Sequence, residues 1–284
     1  MSFGLVLSGG GLRGAVHIGI LQALEEINLK PAFIAGTSAG SLVAGLYAYG
    51  YSPQEIKYLA KKINKDLFDL NYWGIISSLC KVFKGKKPTN SGLILGKRLE
   101  KYFFELTRGI KLNELKLSLA ITAVDINNSE IIVFTSSDRR LLRRPDYHFF
   151  SDVTLAAAMR ASISLPGIFC PKIIKKRCLV DGGIRAYLPV EITRLLGAKK
   201  VIAVNLGYGG EPVPNVQNFW EITLQALDLM IYQITQPSMY SADLLISPQV
   251  NIGPINLGAM ESLINCGYQA LLKSLPQIKG LFGD

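Results

Sequence analysis

The chain has 284 residues, of which 49% are hydrophobic and 18% are charged, and this composition excludes an intrinsically disordered protein. No apolar run approaches the roughly 18 residues that a transmembrane helix needs, so any contact with a membrane should be peripheral. The formal net charge of +10 indicates an anionic partner, and the length suits a single domain over residues 1–284.

The predicted elements alternate between strands and helices along the chain. The spacing of apolar residues predicts strands over 3–7, 31–35, 117–124, 131–135, 172–174, 200–206 and 243–247. It predicts helices over 13–27, 42–49, 153–160 and 219–232. This alternation is typical of the α/β class, with a mostly parallel central sheet and crossover helices.

Two features of the sequence bear on where the protein works. The first strand leads directly into glycines, without the basic leading region of a signal peptide, so we expect a cytoplasmic protein. The four cysteines show no C-x-x-C pair and no histidine spacing typical of zinc sites, so they give no reason to expect a bound metal.

Residues 66–88 differ from their surroundings because aromatic and basic residues are concentrated there. The segment contains Tyr72 and Trp73 and then lysines at 81, 84, 86 and 87. A helix of this composition suits the headgroup region of an anionic membrane, and we interpret the segment as a membrane-facing or lid insertion. A core helix followed by a solvated lysine loop would produce the same pattern, and both interpretations stay open.

A glycine-rich motif follows the first predicted strand and opens the first predicted helix. Its residues are Gly9, Gly10, Gly11, Leu12, Arg13 and Gly14. Dinucleotide-binding folds share this spacing but require an acidic residue about 20 positions later, and the second predicted strand does not end on one. Exposed glycine amides at a helix N-terminus also stabilise a transient oxyanion, which is the role that we predict here.

A second motif lies between the second predicted strand and the helix after it. Its residues are Gly36, Thr37, Ser38, Ala39 and Gly40. They match the G-x-S-x-G nucleophile elbow in its expected strand-turn-helix context. The glycines permit a turn that is too tight for flanking side chains, and the helix N-terminus favours a serine alkoxide. We therefore predict that Ser38 is a nucleophile.

The third motif consists of Asp181, Gly182 and Gly183 and follows a short apolar pair. A simple turn would also explain an aspartate followed by two glycines. The catalytic interpretation gains weight once a base for the serine is sought, because the usual histidine partner is missing. An aspartate has an ordinary pKa of about 3.9, which is low for this task, and partial burial would raise it.

The two histidines of the chain are poorly placed for a Ser-His-Asp triad. In elbow folds the histidine comes last in the chain, whereas His17 precedes the serine and His148 precedes the aspartate. The helical spacing around His17 predicts a packed, hydrogen-bonded side chain. We expect His148, in a basic and aromatic loop, to be either exposed or part of a lid.

The three motifs, in this order and without a later histidine, resemble the bacterial patatin-like phospholipase family. That family's framework is also similar to the stretches GAVHIGILQALEE, RASISLPGIF and LPVEITRLLGAKKVIAVNL. The resemblance covers residues 3–206 and extends less to the tail from 208 onward. It implies a three-layer α/β/α fold.

The resemblance also implies a reaction. Ser38 and Asp181 would form a dyad that hydrolyses acyl esters of phospholipids or lysophospholipids, without a metal or an organic cofactor. Gly10, Gly11 and the Arg13 backbone would line the oxyanion hole. The substrate varies among members of the family, so the reaction class is a firmer expectation than the lipid.

Three other functions stay open. Acyl transfer to an acceptor other than water shares the acyl-serine stage. A catalytically inert membrane-binding module would use the apolar composition and the basic surface. Basic residues at 139, 140, 143 and 144 and at 172 and 175–177 are candidate nucleic-acid contacts, but no recognition module accompanies them. We therefore expect a lipid substrate and the anionic inner face of a membrane as partners, and no nucleic acid.

Overall fold

A computed structural model describes residues 2–84, 87, 91–137, 144, 146–211, 216–250 and 259–283. The strands are β1 (Gly4–Leu7), β2 (Phe33–Thr37), β3 (Gly92–Ile94), β4 (Ser118–Asp125), β5 (Glu130–Thr135), β6 (Tyr147–Phe150), β7 (Gly167–Phe169), β8 (Lys172–Ile174), β9 (Arg177–Asp181), β10 (Val201–Val204) and β11 (Leu244–Ile246). The helices are α1 (Ala15–Glu26), α2 (Ala39–Tyr49), α3 (Pro53–Lys61), α4 (Tyr72–Phe83), α5 (Lys97–Leu106), α6 (Leu155–Ser162), α7 (Gly183–Ala186), α8 (Val190–Leu195), α9 (Phe219–Ser241), α10 (Met260–Lys273) and α11 (Leu275–Phe282). Short 3-10 helices span Gly11–Gly14, Lys65–Leu67 and Leu112–Glu114.

The central sheet consists mainly of parallel strands. Its order is β11-β10-β1-β2-β4-β5-β6, and the strands from β11 to β4 run parallel to one another. Strands β5 and β9 both pair antiparallel with β4. Strand β9 pairs with the last three residues of β4, immediately beyond the point where the pairing of β2 with β4 ends.

Helices cover both faces of this sheet. On β1, the side chains of Leu5 and Leu7 belong to the large core cluster that contains Val16 of α1. Val6 belongs to a separate cluster on the other face, together with Val190 of α8. The strands are buried on both sides, which explains their continuous apolar sequences. The predicted three-layer α/β/α fold with a mostly parallel sheet is confirmed.

Several boundaries differ from the sequence prediction. The second strand lies two residues later than predicted, because its pairing with β1 begins at Phe33 and continues to the elbow. Helix α9 continues beyond the predicted end at 232 and passes through Pro237. This proline removes a hydrogen bond to the carbonyl of Gln233, but both residues are exposed, so water can satisfy that carbonyl.

The environments of the two histidines were partly predicted. His17 is fully buried and hydrogen-bonded, as expected. His148 is exposed, but it lies on a strand rather than in a loop, because β6 pairs with β5 and places His148 beside Ile132.

The C-terminal helix α10 packs closely against α1. A methyl group on Gly19 would lie 1.8 Å from the carbonyl oxygen of Ile264, and one on Gly267 would lie 2.0 Å from that of Val16. Glycine is therefore required on both helices at their crossing. This contact joins the tail, which resembles the family less, to the first helix of the fold.

The basic clusters are largely paired with acids where the structure describes them. Arg177 binds Asp125 and Glu130, and Lys175 binds Asp152. Residues 139, 140 and 143 of the other cluster lie outside the described residues. Paired cations are weaker attractors for phosphate than free ones, so the cluster that contains Lys175 and Arg177 gives little support for contact with lipid headgroups or with nucleic acid.

The segment 66–88 contains α4 and ends outside the described residues at Lys86 and Pro88. Trp73 is 84% exposed, and Tyr72 and Ile76 are also exposed, so the first turns of α4 place apolar side chains in solvent. Within the described ranges, none of the helices combines the length and apolar character needed to cross a bilayer. Among all the residues that the structure describes, no group of histidine, cysteine, aspartate and glutamate side chains could hold a metal ion.

Candidate active site

Ser38 lies at the turn between β2 and α2 in a strained backbone conformation. Its φ is 52° and its ψ is −125°, a region that residues other than glycine seldom occupy. A methyl group on Gly36 would lie 2.5 Å from the carbonyl oxygen of Gly40, and one on Gly40 would lie 2.3 Å from that of Leu7. Both glycines of the motif are thus required by close approach of the backbone.

Hydrogen bonds hold this turn in place. The Ser38 amide donates to the Oγ of Ser162 at 2.9 Å, and the Oγ of Ser41 donates to the Ser38 carbonyl at 2.6 Å. Ser162 is the last residue of α6 and lies 124 positions from Ser38 in sequence, so no local motif could have indicated its role. These bonds offset part of the cost of the strained backbone.

Asp181 reaches Ser38 because two strands share the same edge of β4. Strand β2 ends where Thr37 pairs with Thr122, and β9 ends where Asp181 pairs with Ala123, the next residue along. The strands approach from opposite directions, so their final residues meet. The side chains of Ser38 and Asp181 consequently line the same cavity, close enough for the Ser38 hydroxyl to affect the pKa of the Asp181 carboxyl.

Hydrogen bonds of the Thr37 side chain connect the elbow to the segment that follows Asp181. Its Oγ1 lies 2.6 Å from the Oγ1 of Thr122 and donates to the carbonyl of Ala186 at 2.7 Å. A methyl group on Gly182 would lie 2.3 Å from the Thr122 Oγ1, so only glycine permits this approach. The aspartate-glycine-glycine motif is therefore more than a turn, because it allows α7 to pack on the sheet beside the elbow.

Burial makes the Asp181 carboxyl a stronger base than an ordinary aspartate. The residue is 4% exposed, and desolvation raises its pKa to about 6. The nearby Ser38 hydroxyl and a hydrogen bond from the Gly183 amide at 2.8 Å oppose this rise. At neutral pH the group is mostly ionised, yet its affinity for a proton is well above that of a solvated aspartate.

The glycine-rich loop brings backbone amides close to Ser38. Gly10 has a φ of 156° and Gly11 a φ of 57°, and they precede the 3-10 turn that leads into α1. Among the hydrogen bonds of the described residues, none uses the amide of Gly10 or Gly11. Unbonded amides of this kind can donate to an oxyanion.

The expectation for the Arg13 backbone requires correction. Its amide donates to the carbonyl of Gly10 at 3.1 Å, because the 3-10 turn closes at this position. It is therefore not free to bind an oxyanion. The Arg13 side chain instead lines the catalytic cavity, where its Nε lies 3.4 Å from the Gly10 carbonyl oxygen.

The remaining motif residues serve packing around the loop. A methyl group on Gly9 would lie 2.6 Å from the ring of Tyr187, and one on Gly14 would lie 2.6 Å from the Cβ of Ala39. Leu12 is partly exposed at the edge of the loop. Glycine at positions 9 and 14 thus lets the loop lie against Tyr187 and the first turn of α2.

His17 lies beneath the loop and is not among the residues that line the cavity with Ser38 and Asp181. Its Nε2 donates to the carbonyl of Ser8 at 2.9 Å. Complete burial lowers the His17 pKa to about 4, so the ring is neutral at physiological pH.

A cavity of about 210 Å³ has both Ser38 and Asp181 in its wall. Helix α9 forms the opposite wall with Leu224, Leu227, Asp228 and Ile231. Burial raises the pKa of Asp228, and the nearby charge of Arg13 opposes that rise. The sequence indicated a helix at this position but not that it covers the site.

We predict that Ser162→Ala weakens the elbow. The Ser38 amide would lose its acceptor, which should lower the free energy of unfolding by about 1–2 kcal/mol and kcat by about tenfold. Thermal denaturation and hydrolysis of a soluble ester would measure both, with the exposed serine variant Ser241→Ala as a control. Wild-type values of both quantities would show that Ser162 does not hold the nucleophile.

A family model and individual relatives both place this sequence among patatin-like phospholipases. The model of the patatin-like phospholipase family matches residues 5–194. Lysophospholipase NTE1 of Scheffersomyces stipitis is 32% identical over 222 residues, which are 76% of this chain and 13% of that protein. Patatin-like phospholipase domain-containing protein ZK370.4 of Caenorhabditis elegans is 30% identical over 208 residues, which are 72% of this chain and 14% of that protein.

Solved structures show the same fold. VipD from Legionella pneumophila superposes with a TM-score of 0.55 and 15% identity, over 97% of this chain and 67% of the other. The type III effector protein ExoU superposes with a TM-score of 0.51 and 15% identity, over 97% of this chain and 53% of the other.

Proposed function

This chain belongs to the patatin-like phospholipase family, and from this premise we propose that it hydrolyses acyl esters of phospholipids or lysophospholipids. Ser38 is the nucleophile and Asp181 its general base. The juxtaposition of Ser38, in a strained elbow, with the buried Asp181 carboxyl, whose pKa is raised to about 6, in the wall of one cavity carries this proposal. The relatives named above are several times longer than this chain, so their whole activities are not assumed here.

The reaction proceeds in two halves. As the Ser38 Oγ attacks the ester carbonyl carbon, its proton passes to Asp181, and the carbonyl oxygen becomes an oxyanion facing the Gly10 and Gly11 amides. The carbonyl re-forms, the bond to the alcohol breaks, and the departing alcohol takes the proton from Asp181. Water then attacks the acyl-serine while Asp181 accepts its proton, and Ser38 recovers a proton as the fatty acid leaves.

Other features of the elbow assist the serine. Ser38 is the N-cap of the 11-residue helix α2, whose N-terminus stabilises negative charge as it develops on the oxygen. The strained backbone conformation keeps the hydroxyl at the turn, where the aspartate and the loop amides both reach the reacting centre. The dyad therefore combines a moderately strong base with preorganised donors.

The cavity favours a lipid that carries phosphate. Its wall from α9 is mostly apolar, and the Arg13 side chain places a guanidinium beside the dyad. Guanidinium groups bind phosphate oxygens in a bidentate manner. The name of the Scheffersomyces stipitis relative, lysophospholipase NTE1, points the same way.

The test of this proposal is release of fatty acid from defined substrates. Purified protein would be incubated with palmitoyl-lysophosphatidylcholine, dipalmitoylphosphatidylcholine vesicles and p-nitrophenyl butyrate, each with and without glycerol. We expect free fatty acid from at least one of the two phospholipids. Acylated glycerol as the main product would identify a transferase instead, and no turnover of any ester would contradict the proposal.

We also propose that α4 contacts the membrane surface that holds the substrate. Trp73 and its exposed neighbours Tyr72 and Ile76 give this helix an apolar outer surface, and Lys84 is exposed just after its end. Aromatic side chains partition into the headgroup region, and lysines nearby attract anionic lipid. This contact would place the protein peripherally on the inner face of a membrane.

Replacing Trp73 by serine is expected to weaken binding to anionic vesicles about five- to tenfold, because a large apolar surface no longer enters the interface. Flotation with phosphatidylserine-containing vesicles would measure this. Tyr240→Ser is the control, because Tyr240 is equally exposed but lies at the end of α9. Equal effects of the two substitutions would contradict a specific role for α4.

A further inference from the structure

A second cavity lies on the other side of the glycine-rich loop. Its volume is about 140 Å³, and it is enclosed by the turn at Gly11–Gly14 and by residues of α1, α2, α3 and α5. Gly11 lines both this cavity and the catalytic one. Ala39, the residue directly after the nucleophile, is also in its wall. The two cavities therefore adjoin next to Ser38.

The wall of the second cavity is apolar. It is lined by Leu42 and Leu46 of α2, by Ile56 and Ala60 of α3, and by Phe103 of α5. The polar side chain in this wall belongs to Tyr102, whose hydroxyl already donates to the Leu59 carbonyl at 3.1 Å. Ordered water requires several polar partners, and a cavity without them suits an alkyl chain.

The cavity that contains Ser38 differs because charged side chains lie among its apolar ones. Arg13, Asp181 and Asp228 bring charged groups into its wall, and all three surround the space above the Ser38 hydroxyl. An ester bound at Ser38 has two substituents on its carbonyl carbon, the acyl chain and the alcohol. With the carbonyl oxygen held at the Gly10 and Gly11 amides, the acyl chain and the alcohol must extend from the carbonyl carbon in different directions.

We propose that the apolar cavity receives the acyl chain, while the glycerol and phosphate of the leaving alcohol occupy the catalytic cavity near Arg13. Gly11 lines both cavities and faces open space, because a methyl group on this residue would meet no atom within 4 Å. This assignment rests on the proposed esterase activity and adds the subsite that selects the chain. An empty apolar cavity forfeits packing contacts, and an alkyl chain restores them.

Chain-length dependence follows from this arrangement. Each methylene that enters the cavity is removed from water, which should raise kcat/KM about fourfold per methylene until the cavity is filled. Longer chains should then give no further gain.

The decisive substitution is Ala60→Phe, which places a ring in the apolar cavity. For p-nitrophenyl dodecanoate we expect kcat/KM to fall at least about tenfold, with kcat/KM for the butyrate ester within about twofold of wild type. Gln54→Phe is the matched control, because it adds the same ring to the exposed side of α3. Equal loss for both esters, or no loss for either, would overturn the assignment.

A complementary variant covers the case in which Ala60→Phe fails to fold. Leu59→Ala enlarges the same cavity without adding bulk. We expect it to move the preferred ester toward longer chains than wild type prefers. An unchanged preference would count against the cavity as the acyl subsite.

A binding experiment tests the acyl subsite independently of the proposed hydrolytic activity. Equilibrium dialysis of radiolabelled dodecanoate against Ser38→Ala protein requires no turnover. We expect Ala60→Phe in that background to weaken dodecanoate binding at least about tenfold and Gln54→Phe to leave it unchanged. If wild type hydrolyses no ester, the proposed function fails, and dodecanoate binding still decides the subsite. Unaltered binding in the Ala60→Phe background would overturn it.

Discussion

Replacing Ser38 by alanine is expected to lower kcat/KM for ester hydrolysis by about 10⁴-fold or more. The variant keeps the loop amides but has no oxygen to carry the acyl group, so the two-step route is lost. Hydrolysis of p-nitrophenyl butyrate would measure the change, with circular dichroism to verify folding. The control is Ser41→Ala, which keeps the nucleophile and loses only a hydroxyl that bonds to the Ser38 carbonyl. Turnover by Ser38→Ala at a rate near that of wild type would place the chemistry elsewhere.

Replacing Asp181 by asparagine is expected to lower kcat by about 10³-fold or more, because an amide cannot accept the serine proton. In the wild type, kcat/KM should rise with pH until the carboxyl is ionised and level off above pH 6, since its pKa is about 6. An initial-rate profile from acid to mildly alkaline pH would show this limb. A flat profile in wild type, or an active Asp181→Asn variant, would exclude the aspartate as the base.

The same substitution should stabilise the fold at neutral pH. Burial raises the Asp181 pKa above its unfolded value, so the folded state binds this proton more tightly than the unfolded state. The wild type therefore loses stability as pH rises through 6, by on the order of 2–3 kcal/mol. Asp181→Asn should unfold at a higher temperature than wild type at pH 8, and this advantage should shrink in acid. If the two proteins differed in unfolding temperature by the same amount at pH 8 and in acid, burial would not raise the pKa of the Asp181 carboxyl.

Ser38 and Asp181 are predicted as a dyad because each lies in a short motif whose geometry is local. A strand, a glycine and a helix start are sufficient to indicate the elbow at Ser38. Asp181 was harder to assign, because its position beside Ser38 depends on pairing between distant strands. Strand β2 pairs with the first part of β4, and β9 pairs with the last three residues of β4. Hydrophobic periodicity does not reveal which distant strands pair with each other. The assignment of Asp181 therefore rested on its aspartate-glycine-glycine motif.

The parts of the site that the sequence did not predict depend on tertiary contacts. Ser162 supports the elbow from 124 residues away, and Asp228 reaches the cavity because α9 lies across it. The Arg13 amide was assigned to the oxyanion hole, but closure of a 3-10 turn uses it. Hydrogen bonds of this kind depend on how a turn closes, and glycine spacing alone does not determine which amide stays free.

Active-site labelling tests the Ser38–Asp181 dyad most directly. Wild type, Ser38→Ala and Asp181→Asn would be incubated with a fluorophosphonate probe and analysed by intact mass. The dyad predicts one adduct on wild type, none on Ser38→Ala and much slower labelling of Asp181→Asn. Equal labelling of wild type and Ser38→Ala, or no labelling of folded wild type with or without lipid vesicles, would contradict it.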